Sequence, residues 1–284
     1  MNNLESNLTI FMIAYFSNYN IEKVIKQISK NIKIIIIENS NLYQTKIYFE
    51  KKYSNINVIL SEKNLGVSAA NNKAFKNINT KYALYLDMDV DFDVKIIQKF
   101  IEKADQIDNL ALLVPQHQKL RYPKTWRYIP TEETNELIRM RMVHGHFALY
   151  SVEAVKDIGY FDEKIFFYYD ETDFCLRAIK KNYKIYLMKN INVNHTGNNS
   201  YDYETQKNIE AVRQWHLMWG KFYFNKKHLG NLRAYQIIIP DIIGSCMKLI
   251  YFYFINKKKF FIYKNQLSGI VNSILGKKSW KRPE

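Results

Sequence analysis

Residues 82–91 read Tyr-Ala-Leu-Tyr-Leu-Asp-Met-Asp-Val-Asp, a short apolar run that ends in three alternating carboxylates. The run Tyr82–Leu86 has the length and composition of a buried strand, so Asp87, Asp89 and Asp91 are predicted to follow the end of a strand. Carboxylates this close repel one another unless a cation or solvent relieves them. Because Mg²⁺ takes one or two carboxylates together with phosphate oxygens, the pattern predicts a metal–diphosphate site. An acidic turn that faces solvent is the alternative.

Strand and helix patterns alternate along the first half of the chain. The other strand patterns are Leu8–Tyr15, Ile32–Ile37 and Ile56–Leu60, and apolar residues at helical spacing lie at 21–28, 67–76 and 97–104. Such alternation predicts an α/β fold with a doubly wound, mostly parallel sheet covered on both faces. Ligands of these sheets bind at the carboxyl ends of the strands, where the three aspartates are expected.

The second half of the chain has sparser signals and then becomes helical. Strand patterns lie at Met142–Tyr150, Lys184–Met188 and Asn192–His195, and apolar residues keep a helical period from about residue 209 onward. We therefore predict a catalytic domain over residues 1–210 and a helical extension over residues 211–284.

Composition bounds the class of protein. The 284 residues are 47% hydrophobic and carry a formal net charge of +15, so the chain can bury a large core and is not disordered. Two cysteines exclude a disulfide framework and favour a reducing compartment. The N-terminus lacks the features of a secretory signal, and no run reaches the ~18 apolar residues of a membrane-spanning helix. A cytoplasmic location is expected.

The C-terminal residues are strongly basic. Residues 245–284 contain nine Lys or Arg and one acid, and the segments 241–255 and 260–275 are rich in aromatic side chains at helical spacing. Basic, aromatic amphipathic helices suit the interface of an anionic membrane, so we expect a peripheral position on the inner face of the cell membrane. The alternative is a helical cap that packs on the catalytic domain.

A second acidic motif follows an aromatic run at Phe166–Tyr169. Asp170, Glu171 and Asp173 lead into a predicted helix, where acids in the first turn complement the helix dipole. Beside an aromatic wall, one of these carboxylates could instead serve as a general base. Arg177 is predicted to pair with Asp173 at i, i+4.

Three histidines stand near strand patterns. His195 ends one of them, and His144 and His146 flank a glycine at the start of another. A lone histidine is more often structural than a ligand, so the pattern by itself favours a structural role for each.

In order and spacing, these motifs resemble glycosyltransferase family 2, most closely its bacterial rhamnosyltransferase-like branch, over about residues 8–200. The matching segments are Thr9–Tyr15, Ile34–Ser40, Asn64–Asn71, Asp87–Asp89, Gly159–Glu163, Tyr168–Arg177 and His195. Two departures stand out. Glu38 replaces an aspartate that the family uses near the nucleotide base, and Asp170-Glu171 reverses the family's Glu-Asp order.

The resemblance implies a GT-A fold, with a Rossmann-like nucleotide-binding half over residues 1–110 and an acceptor half over residues 111–210. It implies inverting transfer of a sugar from a nucleotide-sugar donor, dTDP-rhamnose or a UDP-sugar, to a glycan or lipid-linked glycan of a bacterial lipopolysaccharide, capsule or other surface polysaccharide.

By the same resemblance each candidate residue receives a role. Glu171 is the expected base with Asp170 as its rival, Asp89 and His195 are expected to hold Mg²⁺ or Mn²⁺, and His146 and Asp173 are expected at the acceptor. The residues expected at the nucleotide sugar are Tyr15, Glu38, Asn39, Asn64, Gly66, Asn71 and Asp87.

Two other classes of function stay open at this point. A basic, aromatic-rich chain could bind nucleic acid through lysines and stacked rings, although the Asp87–Asp91 cluster would repel phosphate in the absence of a metal. A catalytically inactive relative that acts as a scaffold is the other alternative, against which the intact Asp89 and Glu171 argue. We expect the enzyme, with no nucleic-acid partner.

Overall fold

A computed structural model of the protein describes residues 2–117, 128–195 and 209–282. These residues divide into two compact units. The first holds residues 2–65, 69–117, 128–161 and 171–195, and the second holds residues 66–68, 162–170 and 209–282.

The first unit is built on one mixed sheet. Its strands are β1 (Leu8–Ala14), β2 (Lys33–Glu38), β3 (Ile56–Leu60), β4 (Tyr82–Leu86), β5 (Val90–Asp91), β6 (Leu110–His117), β7 (Tyr128–Glu133), β8 (Leu137–Met140), β9 (Phe147–Ser151) and β10 (Lys184–His195). The order across the sheet is β3-β2-β1-β4-β9-β6-β10-β8-β7, and β5 pairs with β10.

The helices are α1 (Asn2–Asn7), α2 (Asn18–Ile25), α3 (Tyr43–Lys52), α4 (Gly66–Phe75), α5 (Lys95–Ala104), α6 (Val152–Ile158), α7 (Asp170–Lys180), α8 (Ile209–Leu229), α9 (Asn231–Ile255) and α10 (Lys257–Ile274). Helices α2, α4 and α5 lie within a few residues of the predicted helical segments, whereas α1, α3 and α6 were not predicted.

Strands β1 to β4 are parallel, and β1, β2 and β4 are largely buried on both faces, as their apolar runs predict. Strand β3 lies at the edge of the sheet and exposes Asn57. One face of the sheet packs against helices α2 and α5, for example through Ile21 and Phe100. The other face packs against α4, α6 and α7, for example through Phe75, Val155 and Phe174. The expected doubly wound α/β architecture is confirmed.

The topology brings many chain segments to one edge of the sheet. Strands β1, β2, β3 and β4 end there, and so do β6 and β10, which run parallel to each other. Strand β9 runs antiparallel to β4 with Leu86 opposite Phe147, so β9 begins at this edge. The residues just before β9 therefore meet the residues just after β4.

Two strand predictions change. Strand β9 begins at Phe147 and not at Met142, which leaves residues 141–146 as a loop at the functional edge. The two short patterns near residue 190 form one strand, β10, whose pairing with β6 shifts register between Met188 and Asn192.

The second unit is helical. Trp215 and Trp219 of α8 pack with Ile165, and Phe222 of α8 packs with Ile238 and Ile270 from the two following helices. Residues 162–170, which sequence patterns place in the catalytic domain, group with these helices because Ile165 lies in their core. Helix α10 approaches α8 closely at Gly269, where a Cβ atom would lie 2.3 Å from the carbonyl oxygen of Trp215.

Helix α9 differs from the sequence-based expectation. It runs without a break for 25 residues and continues through Pro240. Among the described residues it is a helix long and apolar enough to cross a membrane, a property that was not expected of any segment.

Candidate active site

Polar side chains collect where the first strands end. Tyr15 follows β1, Asn39 follows β2, Asn64 lies in the loop after β3, and Asp87 follows β4. The loop 141–146 reaches the same edge, since the backbone N–H of Asp87 donates to the carbonyl of His146 over 2.9 Å. The structure thus brings together most residues that the sequence assigns to a nucleotide-sugar site.

A chain of amide hydrogen bonds links three of these loops. The Asn39 side chain donates to Asn64 Oδ1 over 3.0 Å, and Asn39 Oδ1 accepts from the Leu65 N–H over 2.8 Å. Burial raises the pKa of the Tyr15 hydroxyl, and a side-chain hydrogen bond with Asn64 opposes that rise only in part. The Tyr15 ring therefore stays neutral and offers a partly buried face beside Asn64.

Glu38 is buried at the end of β2 and contacts the backbone of its own loop. Its side chain is 1% exposed, and its carboxylate accepts hydrogen bonds from the backbone N–H groups of Ser40 and Leu42. These bonds shape the loop that enters α3. Glu38 therefore helps to fix the shape of this loop, and its expected place at the nucleotide sugar stays a prediction.

Helix α4 carries two of the expected nucleotide-sugar residues, Gly66 and Asn71, at its start and in its second turn. Asn71 is buried, and its neighbour Asn72 exchanges two hydrogen bonds with the backbone of Phe161. Gly66 has a left-handed φ of 77°, and a Cβ there would lie 2.4 Å from the carbonyl oxygen of Phe166. Glycine at 66 is thus required by close approach of two backbone segments.

Two side chains orient the Asp87 carboxylate. The Tyr85 hydroxyl donates to one oxygen over 2.6 Å, and Nδ1 of His146 lies 2.8 Å from the other. All three residues are partly buried. Asp87 is therefore a fixed, partly accessible carboxylate in contact with His146, and the acceptor role expected for His146 stays a prediction.

The remaining acidic residues of the motif differ in exposure. Asp89 is 7% exposed, whereas Asp91 is about half exposed and pairs with Lys23 at 3.1 Å. The backbone of His195 pairs with Val90 in the short β5–β10 ladder, and its side chain lies outside the described part of the chain. The structure thus separates a surface ion pair at Asp91 from the more buried Asp89.

The oxygen donors at this edge fit a hard divalent cation that also binds a diphosphate. Asp87 and Asp89 supply two carboxylates, and the buried Oδ1 of Asn194, opposite Asp91 in the ladder, has no hydrogen-bond partner among the described residues. Within the same residues no group of three His, Cys, Asp or Glu side chains forms a complete protein site. Two carboxylates are what Mg²⁺ uses when phosphate oxygens complete its shell.

Glu171 is held by a glycine in the loop before β9. The Gly145 N–H donates to Glu171 Oε1 over 2.9 Å, and a Cβ at 145 would lie 2.3 Å from that oxygen. Glu171 is partly exposed. One three-residue segment, His144-Gly145-His146, thus contacts both Glu171 and Asp87.

The other two acids of the second motif are less accessible. Asp170, in the second unit, begins α7 and is 7% exposed. Asp173 is fully buried and accepts a hydrogen bond from Arg177 over 2.8 Å, as the spacing predicts. Arg177 also donates to the carbonyls of Ile158 and Tyr160, so Asp173 belongs to a structural clamp and not to an acceptor surface.

Left-handed backbone occurs at bulky residues in loops of both units. Phe16, after β1, has φ of 50°, and Tyr168 and Tyr169, just before α7, have φ of 61° and 66°. Such conformations cost of the order of 1–3 kcal/mol each and persist where the surrounding structure enforces them. Phe16 is held by a 2.7 Å hydrogen bond from its N–H to Ser40 Oγ.

Sequence reasoning missed three residues of the site: Tyr85, His117 and Gly145. His117 ends β6, is 2% exposed, and its ring lies edge-on to that of His146 with centroids 5.5 Å apart. The alternation within β4 could have indicated that Tyr85 and Asp87 share a face of the strand. No sequence signal would have shown the approach of Gly145 to Glu171.

Comparison with known proteins agrees with this geometry. The sequence profile described as Glycosyl transferase family 2 matches residues 9–159, more than half of the chain. The chain belongs to this family. Among curated proteins it is similar to the low-salt glycan biosynthesis hexosyltransferase Agl10 of Haloferax volcanii, with 24% identity over 199 residues. That match covers 63% of this chain and 64% of the relative, which is less than two thirds of its length.

Solved structures share the fold at low identity. The mannosyltransferase PcManGT of Pyrobaculum calidifontis, in complex with GDP-Man and Mn²⁺, has a TM-score of 0.58 at 10% identity, over 96% of this chain and 88% of that one. Residues 1–349 of TarS from S. aureus give 0.53 at 15% identity, over 95% and 92%. These similarities establish the GT-A fold.

Proposed function

We propose that this protein is an inverting glycosyltransferase that moves a sugar from a nucleotide-sugar donor to a hydroxyl group of a glycan or lipid-linked glycan. The observation that carries the proposal is the His144–His146 segment, which contacts Glu171 and Asp87 at once. It sets a proton acceptor and a phosphate-side carboxylate on the same edge of a GT-A sheet. Family membership and the carbohydrate-active relatives described above support this assignment.

In the proposed reaction the acceptor oxygen attacks the anomeric carbon from the face opposite the nucleotide. A new carbon–oxygen bond forms as the bond to the diphosphate breaks, and the leaving group keeps the electron pair. The hydroxyl proton passes to Glu171, whose carboxylate is aimed by the Gly145 N–H. Proton transfer of this kind contributes typically ~10²–10⁴-fold.

On the donor side we assign the nucleotide to the loops of Tyr15, Asn39 and Asn64, and the diphosphate to the loop of Asp87 and Asp89. A bound Mg²⁺ or Mn²⁺ held by Asp89 and Asp87 would act as a Lewis acid that neutralises charge on the leaving diphosphate. Tyr85 and His146 keep the Asp87 carboxylate oriented. His195 is proposed as a further ligand from its position at the end of β10.

The donor that we favour is dTDP-rhamnose, on the resemblance to the rhamnosyltransferase-like branch, with UDP-hexoses next. The acceptor that we favour is a growing surface glycan, as in lipopolysaccharide or capsule, assembled at the inner face of the cell membrane. The similarity to a glycan-biosynthesis hexosyltransferase supports the glycan class of acceptor.

A donor screen tests the proposal. Purified protein with Mg²⁺ or Mn²⁺ is incubated with a panel of dTDP-, UDP- and GDP-sugars, and nucleoside diphosphate release is measured with and without EDTA. We expect release from one donor, lost on chelation and lost in Glu171→Gln when acceptor is present. Donor binding without turnover would favour an inactive scaffold, and salt-sensitive binding of a random oligonucleotide without any release would favour the nucleic-acid alternative.

A further inference from the structure

Helix α9 exposes an apolar stripe along nearly its whole length. Exposed apolar residues recur at the spacing of one helix face and are 47% to 84% exposed: Leu232, Ile239, Ile243, Met247, Ile250 and Phe254. At 1.5 Å per residue the stripe is ~33 Å long. An exposed apolar stripe of this size on a protein surface marks a binding face.

The opposite side of α9 is already used inside the second unit. Ala234 and Ile238 are fully buried with Phe222 and Ile270, and Asp241 pairs with Lys221 at 2.6 Å. The α9 stripe is therefore not the core of this unit. It faces outward while the helix is held by its other side.

The charged residues at both ends of the α9 stripe are basic. Between Asp241 and Glu284 the sequence has no acidic residue and nine Lys or Arg. Lys257, Lys258 and Lys259 follow the C-terminal end of the stripe, and Arg233 lies at its N-terminal end; all four are exposed. Exposed tyrosines flank it at 235, 251 and 253, and amphipathic rings of this kind favour the headgroup level of a bilayer.

We propose that the α9 stripe lies flat in the headgroup region of an anionic lipid bilayer, with the flanking lysines and Arg233 on the lipid headgroups. Apolar side chains on a helix with basic ends match the boundary between acyl chains and anionic headgroups. This inference rests on the membrane location given in the proposed function. Its test contains no sugar, so the membrane proposal and the glycosyltransferase proposal can fail independently.

An in-plane position fits the packing better than a span. Helix α10 is locked to α8 at Gly269, and α9 packs on both, so a spanning α9 would draw these helices with it. The Lys221–Asp241 pair would then enter hydrocarbon at a high cost. A second copy of the chain is a poorer occupant, because both ends of the stripe are basic and would repel in either orientation.

Vesicle flotation with the full-length protein tests the surface. We expect it to float with vesicles of phosphatidylcholine and phosphatidylglycerol at low salt, and less as salt rises, since screening weakens surface charge. Ile243→Ser/Ile250→Ser should weaken binding by about tenfold or more. The matched control Ile47→Ser/Val94→Ser alters two exposed apolar side chains of the first unit and should bind like the native protein.

Lipid charge and insertion depth are tested separately. Lys257→Glu/Lys258→Glu should weaken binding to the same vesicles by about tenfold or more, because each basic residue near an anionic surface contributes to attraction. Cys246 is exposed beside the stripe and Cys175 is buried, so a thiol-reactive fluorophore should label Cys246 alone. Its emission should shift to the blue on vesicles, with quenching strongest by lipids labelled near the headgroup.

Four outcomes would count against the in-plane proposal. Quenching strongest at the bilayer centre would show a span and overturn the in-plane proposal. Failure of the native protein to float at low salt would overturn membrane binding altogether. A concentration-dependent dimer that Ile243→Ser/Ile250→Ser dissociates, with no flotation, would assign the stripe to a second copy. Equal loss in the Ile47→Ser/Val94→Ser control would show that the effect is not specific to the stripe.

Discussion

Gly145→Ala is the sharpest test of how Glu171 is positioned. The added methyl carbon would lie 2.3 Å from Glu171 Oε1, whereas ordinary contact begins at about 3.4 Å. The carboxylate must therefore move by about 1 Å and weaken its hydrogen bond from the 145 N–H. Since a displacement of ~1 Å in a catalytic group can cost ~10²-fold, we expect kcat to fall on the order of 100-fold.

Kinetics separate this effect from a loss of fold or of donor binding. Residue 145 has no left-handed φ, so alanine imposes no backbone strain there and the unfolding temperature should change little. The donor KM should also change little, because the Tyr15–Asn64 loops are not displaced. Gly244→Ala is the matched control, since a Cβ at 244 meets nothing within 4 Å.

A double-mutant cycle completes the test. Glu171→Asp shortens the side chain and should reduce activity by itself, but it also removes the clash with the methyl group of Gly145→Ala. The two changes together should cost less than the sum of their separate free energies, because the residues are in contact. Native kcat in Gly145→Ala, or strict additivity, would refute the view that Gly145 positions the base.

Three further predictions follow from the site and the helical unit. Asp89→Asn should nearly abolish metal-dependent transfer, whereas Asp91→Asn should have a mild effect because the Asp91 carboxylate forms an exposed ion pair. Recovery of activity in Asp89→Asn at saturating Mn²⁺ would contradict the assignment of Asp89 as a metal ligand. Glu171→Gln should lower turnover by ~10²–10⁴-fold without changing donor affinity, and normal turnover in that variant with a defect in Asp170→Asn would transfer the role. Burial lowers the pKa of His216 from 6.5 to about 4, so the unfolded chain binds this proton at a higher pH than the folded chain does. The free energy of unfolding should therefore fall by about 3 kcal/mol as the pH drops from 6.5 to 4. The unfolding temperature of His216→Asn, measured against pH, should fall less steeply over this range.

His216 illustrates why that pH dependence is expected. Its Nε2 lies 2.7 Å from the carbonyl oxygen of Lys281, which can only accept, so Nε2 carries the proton. Nδ1 then accepts from the Ser279 hydroxyl at 2.9 Å. The neutral ring is thus fully hydrogen-bonded. A second proton would force the Ser279 hydroxyl to turn from donor to acceptor and would add charge in a buried position beside Arg282.

The parallel half of the sheet was predictable because its strands carry their own signal. Strands β1, β2 and β4 are largely buried on both faces, so each is a nearly continuous apolar run, and helices α2 and α4 show a clear period. Helix α3 lacks such a period and was not predicted. Strands β6 to β9 were predicted poorly. Strand β8 has only four residues, and its pairing with β10 depends on contacts far apart in sequence.

Residue chemistry predicts which acidic side chains are candidates for the site, but it does not predict the contacts that each one makes. Asp87 and Glu171 follow from motifs, and both lie at the functional edge. Glu38 and Asp173 have the same chemistry, but their oxygens accept hydrogen bonds from backbone N–H groups and from Arg177, respectively. Which partner a carboxylate meets depends on tertiary packing, and sequence spacing reveals it only for local pairs such as Asp173 and Arg177.

The C-terminal helices show how a polar residue can hide a long apolar helix. Asp241 and Lys248 interrupt the apolar run of α9, so a search for an unbroken stretch divides one helix into fragments. In the structure both side chains turn away from the α9 stripe: Asp241 pairs with Lys221, and the Lys248 ammonium lies 5.0 Å from the ring centre of Tyr263. A charged residue interrupts an apolar surface only if it lies on that surface. The helical period, and not the length of the apolar run, therefore decides what α9 can bind, and here it places every stripe residue on the side that its own unit leaves exposed.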